Sequence, residues 1–188
     1  MFKVTRIFFW LVLFAPFCVY GEEVKYGIGA ASGGGINLYV PITRGELFVE
    51  PTLNFFKSKN SAHYSDGVSS GNYSNDYRSM GLGIGIFRRS KVAEHIYLYG
   101  GGRVGFFQTR SNYNDSVGYE GNAKGHGYSV APSIGVEHDF FDNFSVGLEF
   151  SYGYSKQKIV FSQASFSRTD EVKSYSTGTN VMVRYRFY

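Results

Sequence analysis

The chain has 188 residues, a one-domain length, and its 19 basic and 15 acidic residues give a net charge of +4, too balanced to argue for a nucleic-acid partner. Aromatic residues make up 19%, and there are 24 glycines, four prolines and one cysteine. That mixture excludes a helical membrane protein, which needs long apolar runs, and a fold stapled by disulfides.

Lys3 and Arg6 precede "IFFWLVLFAPFCVY", which is too short, and too one-sided in its flanking charge, to be a spanning helix. It reads as a secretory signal peptide over residues 1–21, cleaved before Glu22, leaving a domain of about 167 residues at 22–188. Phe17 is too bulky for the position before a lipidated cysteine, so Cys18 is expected to leave with the leader, as is Trp10. The remainder holds 17 basic and 15 acidic residues, a net charge of about +2.

The next segment, "EVKYGIGAASGGGINLYVPIT", splits at Ser32 to Gly34 into two strands joined by a glycine-rich hairpin. Tyr26, Ile28 and Ala30 share one face of the first; Ile36, Leu38, Val40 and Ile42 share one face of the second. In "ELFVEPTLNFFKS", Leu47, Val49, Pro51, Leu53 and Phe55 oppose Glu50, Thr52 and Asn54. Met80, Leu82, Ile84 and Ile86 then alternate with Gly81, Gly83 and Gly85, and Ile96, Leu98, Val104 and Phe106 oppose Arg103. Gly100 and Gly102 fall on the apolar face, which predicts a bulge there. Tyr128, Val130, Pro132, Ile134 and Val136 oppose Ser129, Ser133 and Glu137; Val146, Leu148, Phe150, Tyr152 and Tyr154 oppose Gly147, Glu149, Ser151 and Gly153. The last strand sets Val181, Val183, Tyr185 and Phe187 against Asn180, Met182, Arg184 and Arg186.

A soluble sandwich also alternates, so the character of the polar face decides. Here it is mostly Gly, Ser and Asn with isolated charges, as suits a confined interior, while the other face is uniformly bulky and apolar over about ten residues, the length of a tilted membrane strand. The connections alternate between short ("TRGE", "SKVAE", "HDFFDN") and long polar stretches at 59–73, 111–124 and 162–172, the long ones belonging outside the cell. The predicted fold is therefore all-β, an eight-stranded antiparallel up-and-down transmembrane β-barrel.

The run Val181, Val183, Tyr185, Phe187 resembles the C-terminal signature of bacterial outer-membrane barrels, from which it departs by the extra residue Tyr188. Over its whole mature length the chain resembles the OmpA/OmpX-type small barrels and the opacity-like adhesins grouped with them. The resemblance implies an integral place in the outer membrane and a barrel assembly machinery that reads those four residues.

An eight-stranded barrel is filled by its own side chains, which argues against a porin-like channel. The inward set contains Lys25, Glu50, Arg103, Glu137, Glu149, Arg184 and Arg186, accompanied by Asn37, Thr52, Asn54 and Asn180. Four cations against three anions describe a network that plugs the lumen, where an unpaired member would be costly. The glycines at 81, 83 and 85 leave room for long arginines from neighbouring strands.

Little else suggests chemistry. "GGGRVG" fits G-x-G-x-x-G, but "FFQTR" continues a strand where the dinucleotide fingerprint needs a helix. His63, Ser65 and Asp66 or Asp76 have the residue types of a serine hydrolase, and some barrels of this shape are lipid A deacylases. Those use a pair in a late strand, whereas these residues lie in an early polar connection. The other histidines lack metal-ligand spacing, so no metal, cofactor or catalytic residue is assigned.

The outer segments are rich in Tyr, Ser, Gly and Asn, a composition that suits adaptable recognition. Lys156, Lys158, Ile159, Phe161, Phe166, Arg168 and Lys173 mark the last hairpin as a protruding ribbon with open edges. The expected protein is a monomeric, non-enzymatic outer-membrane barrel whose outer segments serve adhesion or host or envelope interaction. Its expected partners are membrane lipid, lipopolysaccharide and an extracellular protein. The alternatives are a lipid A-modifying hydrolase and a secreted soluble lipid-binding barrel.

Overall fold

The computed structural model describes residues 24–32, 35–65, 70–115, 120–163 and 166–187. The leader and its cleavage point, Asp66 and Tyr188 lie outside them. Nine strands run in order: β1 (Val24–Ser32), β2 (Ile36–Tyr39), β3 (Ile42–Arg44), β4 (Leu47–Ser65), β5 (Ser70–Ala93), β6 (Ile96–Asp115), β7 (Glu120–Phe141), β8 (Phe144–Gln163) and β9 (Phe166–Phe187). All pairings are antiparallel, and β1 pairs with β9 to close the ring.

The ring has eight positions, because β2 and β3 are two halves of one strand. Both keep the same register against β1 and against β4, from Asn37 opposite Asn54 to Thr43 opposite Phe48. Pro41 interrupts the run because it has no N–H to give to the ladder, while the Val40 amide still donates to the Pro51 carbonyl at 3.0 Å.

Alternation places the residues as the physics of lipid requires. Leu82, Phe106, Ile134, Phe150 and Val181 are exposed on the outside; Glu50, Glu137, Glu149 and Arg184 are buried within. From Tyr128 to His138 the outward face of β7 runs ten steps, which at about 3.3 Å each and about 40° of tilt covers the ~25 Å apolar band of an outer-membrane barrel. Rings rich in aromatic residues mark its edges: Phe55, Phe106 and Tyr128 at one end, Phe140, Phe141 and Phe187 at the other. Closure leaves no strand edge facing lipid within the band, where an unpaired amide would have no partner.

The structure corrects two expectations. The polar segments at 59–73 and 111–124 are hairpin extensions rather than long loops: the ladder continues to Ser65 opposite Ser70 and to Asn114 opposite Glu120. Once a hairpin is in register its backbone bonds need no apolar face, so pairing outlasts the hydrophobic pattern. No bulge occurs at Gly100 or Gly102 either; the register runs straight through both, and the shifts fall at Lys91/Ala93 and Asp139/Phe141, beside tight turns. A methyl group on outward Gly100 would meet nothing, whereas one on inward Gly101 would overlap the Ile86 carbonyl oxygen and the Phe87 backbone. Gly101 is thus the residue that close strand packing demands, and it faces the lumen.

Candidate functional site

Two features of the barrel stand out as candidate sites: the charged core of the lumen and the sheet that rises beyond the membrane. In the lumen, Arg103 on β6 grips Glu149 on β8 with two bonds, Nε to Oε1 at 2.9 Å and Nη2 to Oε2 at 2.8 Å, and also donates to Glu50 on β4 at 2.7 Å. Arg184 on β9 donates to the other Glu50 oxygen at 2.6 Å. Arg186 donates to Glu137 at 2.5 Å and to Asp139 at 3.2 Å, and Ser145 donates a further bond to Glu137. Arg89 completes the chain, 3.2 Å from Asp139 and 3.8 Å from Glu137.

Among the described residues this makes four guanidiniums and four carboxylates, a neutral cluster. Arginine suits the role because its flat fork bridges two carboxylates at once. Glu50 and Glu149 are fully buried, and Arg184 is 2% exposed. Each of these buried carboxylates is therefore balanced by arginine side chains.

An aromatic floor supports the ions. Phe48, Phe87 and Tyr99 pack at centroid distances of 4.9 to 5.6 Å, and Met182 is completely buried in the same cluster. Arg103 lies 4.7 Å over both Tyr39 and Phe87, and Arg184 lies 5.3 Å over Tyr99. The Tyr99 hydroxyl donates to the Met182 sulfur at 3.2 Å. Gly85 makes space for Arg103, whose Nη1 lies 2.9 Å from where a Cβ would stand.

Of the residues the sequence nominates for the lumen, Glu50, Arg103, Glu137, Glu149, Arg184 and Arg186 meet in this cluster. Lys25 shares the lumen-facing parity at the start of β1, half-buried and opposite Thr43. Sequence reasoning missed Arg89 and Asp139. The signal was there: Arg89 continues the alternation of Gly81, Gly83 and Gly85, and Asp139 stands two residues past Glu137. The aromatic floor was hidden because apolar residues were assigned outward.

Above the membrane the ring opens. The β1–β2 hairpin stops near Ser32 and Ile36, with Ser32 opposite Val181 and Ile36 opposite Phe55, whereas β4 continues to Ser65 and β9 begins as far out as Phe166. Among the described residues, Phe56–Ser65 of β4 and Phe166–Asn180 of β9 therefore have one neighbouring strand each, and β4 and β9 do not touch. Six strands form a wall with a gap two strands wide.

The residues nominated for surface interaction lie on this wall, divided between its faces. Lys156, Lys158 and Lys173 share the outward face of β8 and β9 with Glu171, which pairs with Lys156 at 3.0 Å. Ile159, Phe161, Phe166 and Arg168 take the inward parity, with Phe161 opposite Arg168. Arg168 binds Asp170 at 2.6 Å. The Glu171 hydrogen bond and charge raise the Lys156 pKa, so that lysine stays protonated.

His63 shares a 3.0 Å hydrogen bond with Asn72, its ladder partner. Asp76 is bound by Arg78 at 2.9 and 3.1 Å, four register positions further along. The described residues bring no carboxylate to His63. No group of three or more His, Cys, Asp or Glu among them could hold a metal.

The C-terminal residues Val181, Val183, Tyr185 and Phe187 point outward and pair with Ser32, Ala30, Ile28 and Tyr26 at the closing seam. The Asn143 side chain donates to the Tyr185 hydroxyl at 2.8 Å.

No protein-family model and no curated protein matches the sequence. Among solved structures, the chain is similar to a major outer membrane protein from Thermus thermophilus, 11% identical over 88% of this chain and 100% of that one, with a TM-score of 0.61. It is also similar to Neisserial surface protein A (15% identity, 89% and 100% coverage, TM-score 0.47) and to Ail, the attachment invasion locus protein of Yersinia pestis (17%, 87% and 95%, 0.46). At such identities the likeness is one of fold. The chain has the architecture of the small outer-membrane β-barrels, and its apolar outer band makes it an integral protein of the bacterial outer membrane.

Proposed function

We propose that this barrel is a surface protein that binds an extracellular protein partner, with the charged lumen serving as a closed, rigid base. The observation that carries the reading is the missing wall above the β1–β2 hairpin. Two strand edges, Phe56–Ser65 and Phe166–Asn180, offer backbone N–H and C=O groups on either side of one gap. Soluble proteins cover such edges because they recruit other strands. A surface protein that displays them gains main-chain hydrogen bonds to an added strand, with side chains beside the edge supplying selectivity. Phe166 and Arg168 lie on the β9 edge itself, and Ile159 and Phe161 on the strand next to it, all on the inward face.

The test expresses the chain in a non-adherent laboratory strain and measures retention on epithelial cells and on immobilised plasma proteins. Retention is expected, and a variant with its last hairpin shortened by removing residues 157–172 should lose it while still migrating as a folded barrel before boiling. Hydrogen exchange at 166–180 should slow in any complex recovered. Binding that survives the shortened hairpin, or that leaves those amides unprotected, would remove the strand-addition reading.

A further inference from the structure

The outward face just beyond the apolar band carries a row of cations in direct cross-strand register. Lys57 on β4 stands opposite Arg78 on β5, Arg78 opposite Arg110 on β6, and Arg110 opposite Lys124 on β7. All four are exposed or half-exposed, and all have the parity of the lipid-facing side chains. Directly opposed residues in an antiparallel sheet have their Cβ atoms about 5 Å apart, and like charges so placed destabilise the pairing. The protein supplies little compensation. Asp76 neutralises Arg78 through two hydrogen bonds, but Lys59 lies opposite Asp76 and adds another positive charge. Next along β7, His126 faces Lys158. Glu171 is engaged with Lys156 and Lys173 farther round the wall. A row of repelling cations at a fixed depth is a site that wants an anion from outside.

The depth and the neighbouring shape identify that anion. The ladder row immediately below the cations holds Phe55 and Met80 beside Gln108 and His126, and the next holds Leu53, Leu82, Phe106 and Tyr128. The row therefore stands where acyl chains end and head groups begin, on the side of the membrane away from the tight turns. Beside it is a groove of about 710 Å³ with Ile36, Phe55 and Met80 among its apolar walls and Lys57, Arg78 and Arg110 on its rim. It exists because the β1–β2 hairpin stops at Ile36 while β4 and β5 continue past it, which leaves a step in the outer wall. Basic rim above apolar walls matches one class of ligand, an amphiphile with phosphate at the head and hydrocarbon below. Arginine binds phosphate oxygens through its fork and lysine adds a mobile point charge.

We propose that Lys57, Arg78, Arg110 and Lys124, with the groove beneath them, form a binding site for a phosphorylated glycolipid of the outer leaflet, its phosphates on the cation row and one acyl chain in the groove. Such a lipid supplies the missing counter-charge and covers Phe55 and Met80. It also fills the step next to the open wall, so the site sets the lipid border of the gap.

The experiment uses the folded barrel in dodecyl maltoside micelles, titrated with diphosphoryl lipid A and read by native mass spectrometry of the retained complex. The variant is Lys57→Gln, Arg110→Gln and Lys124→Gln together, leaving the Arg78–Asp76 pair intact; Lys91→Gln, near the tight turn at the opposite end, is the control. Loss of three surface charges, each about a factor of five in lipid affinity, predicts about 100-fold weaker retention in the triple variant and no change in the control. The wild-type protein is also titrated with dephosphorylated lipid A, inorganic phosphate and cardiolipin, so that the result does not depend on the variant's folding. Dephosphorylated lipid A and cardiolipin are each expected to bind at least about fivefold more weakly than diphosphoryl lipid A, the loss of one to two such charge contacts, and inorganic phosphate, which has no acyl chain for the groove, more weakly still. Equal retention of the dephosphorylated lipid would show that the groove alone binds, equal binding of inorganic phosphate would make this a free-anion site, and equal retention of cardiolipin would remove the glycolipid assignment. A folded triple variant that binds like wild type overturns the proposal outright.

Discussion

Replacing Glu50 by glutamine tests the lumen network at its centre. Glu50 is fully buried and shared between Arg103 at 2.7 Å and Arg184 at 2.6 Å. At an effective dielectric of about 20 and charge centres about 4 Å apart, each pair contributes about 4 kcal/mol of attraction. Glutamine keeps the volume and one acceptor oxygen but loses both attractions, and the cluster becomes net positive. Glu149 still binds Arg103 through two bonds, and Glu137 still lies 3.5 Å from Arg184, so part of the loss is offset. The expected cost is the ~3–5 kcal/mol typical of breaking a buried pair. Urea unfolding of the barrel in lipid vesicles, followed by the mobility difference between unboiled folded and unfolded protein, measures it. Glu46→Gln is the control, because Glu46 meets Arg88 at 2.8 Å on the surface, where a pair contributes about 0–1 kcal/mol. Removing Arg184 as well, in Glu50→Gln with Arg184→Met, should recover part of the loss, because Glu149 keeps Arg103 and Glu137 keeps Arg186. A Glu50→Gln cost below about 1 kcal/mol, equal to that of Glu46→Gln, would show the lumen to be wet enough to screen its charges and would refute the reasoning.

Gly101→Ala should cost at least about 1–3 kcal/mol or block folding, since its methyl group would overlap the Ile86 carbonyl, while Gly100→Ala, open to lipid, should fold as wild type; equal costs would contradict the packing at this crossing. Planar bilayers containing the barrel should show no regular conductance steps, because the Arg103–Glu149–Glu50–Arg184 cluster closes the lumen. Hydrogen bonding from Arg78 lowers the Asp76 pKa, so a carbon-detected titration should place its midpoint below the ordinary aspartate value of about 3.9, and Arg78→Gln should raise it toward that value. Because the folded pKa is depressed, the pair's contribution is present above the ordinary value and lost as pH falls through the depressed one. Lengthening the β1–β2 hairpin with alternating Thr and Ser after Ser32, by about twenty residues so that each arm gains roughly ten ladder positions and the new strand covers Phe56–Ser65 and most of the β9 edge, should fill the gap and abolish both partner retention and lipid A binding, with unfolding in urea unchanged.

Alternation made the ring legible, since lipid outside and a packed lumen inside impose opposite chemistries on successive residues of every strand. It located Glu50, Arg103, Glu137, Glu149, Arg184 and Arg186 without any coordinates. It failed where a residue's type conflicted with its side. Phe48, Phe87 and Tyr99 are buried inward, with Tyr39 and Met182, in a chain whose bulky apolar residues mostly face lipid, and only strict parity, applied against hydrophobicity, would have found them. Gly100 and Gly102 looked like a defect because glycine is rare on an apolar face, yet it is the inward Gly101 between them that the packing requires. The cation row was invisible for another reason: Lys57, Arg78, Arg110 and Lys124 are far apart in sequence and become neighbours only when three hairpin registers are known.

The unequal lengths of the hairpins give the molecule its polarity. Strands β4 to β9 have 19 to 24 residues, about twice what is needed to cross the band, while β1 has nine. Had every hairpin been equally long, the extracellular part would be a closed tube with no free backbone, and no step would exist in the outer wall. One short hairpin creates both the strand edges and the groove. The neutral arginine–carboxylate cluster below allows this, because it ties β4, β6, β7, β8 and β9 together across the lumen at the level of the membrane. The wall above can then stay incomplete without the ring below coming apart.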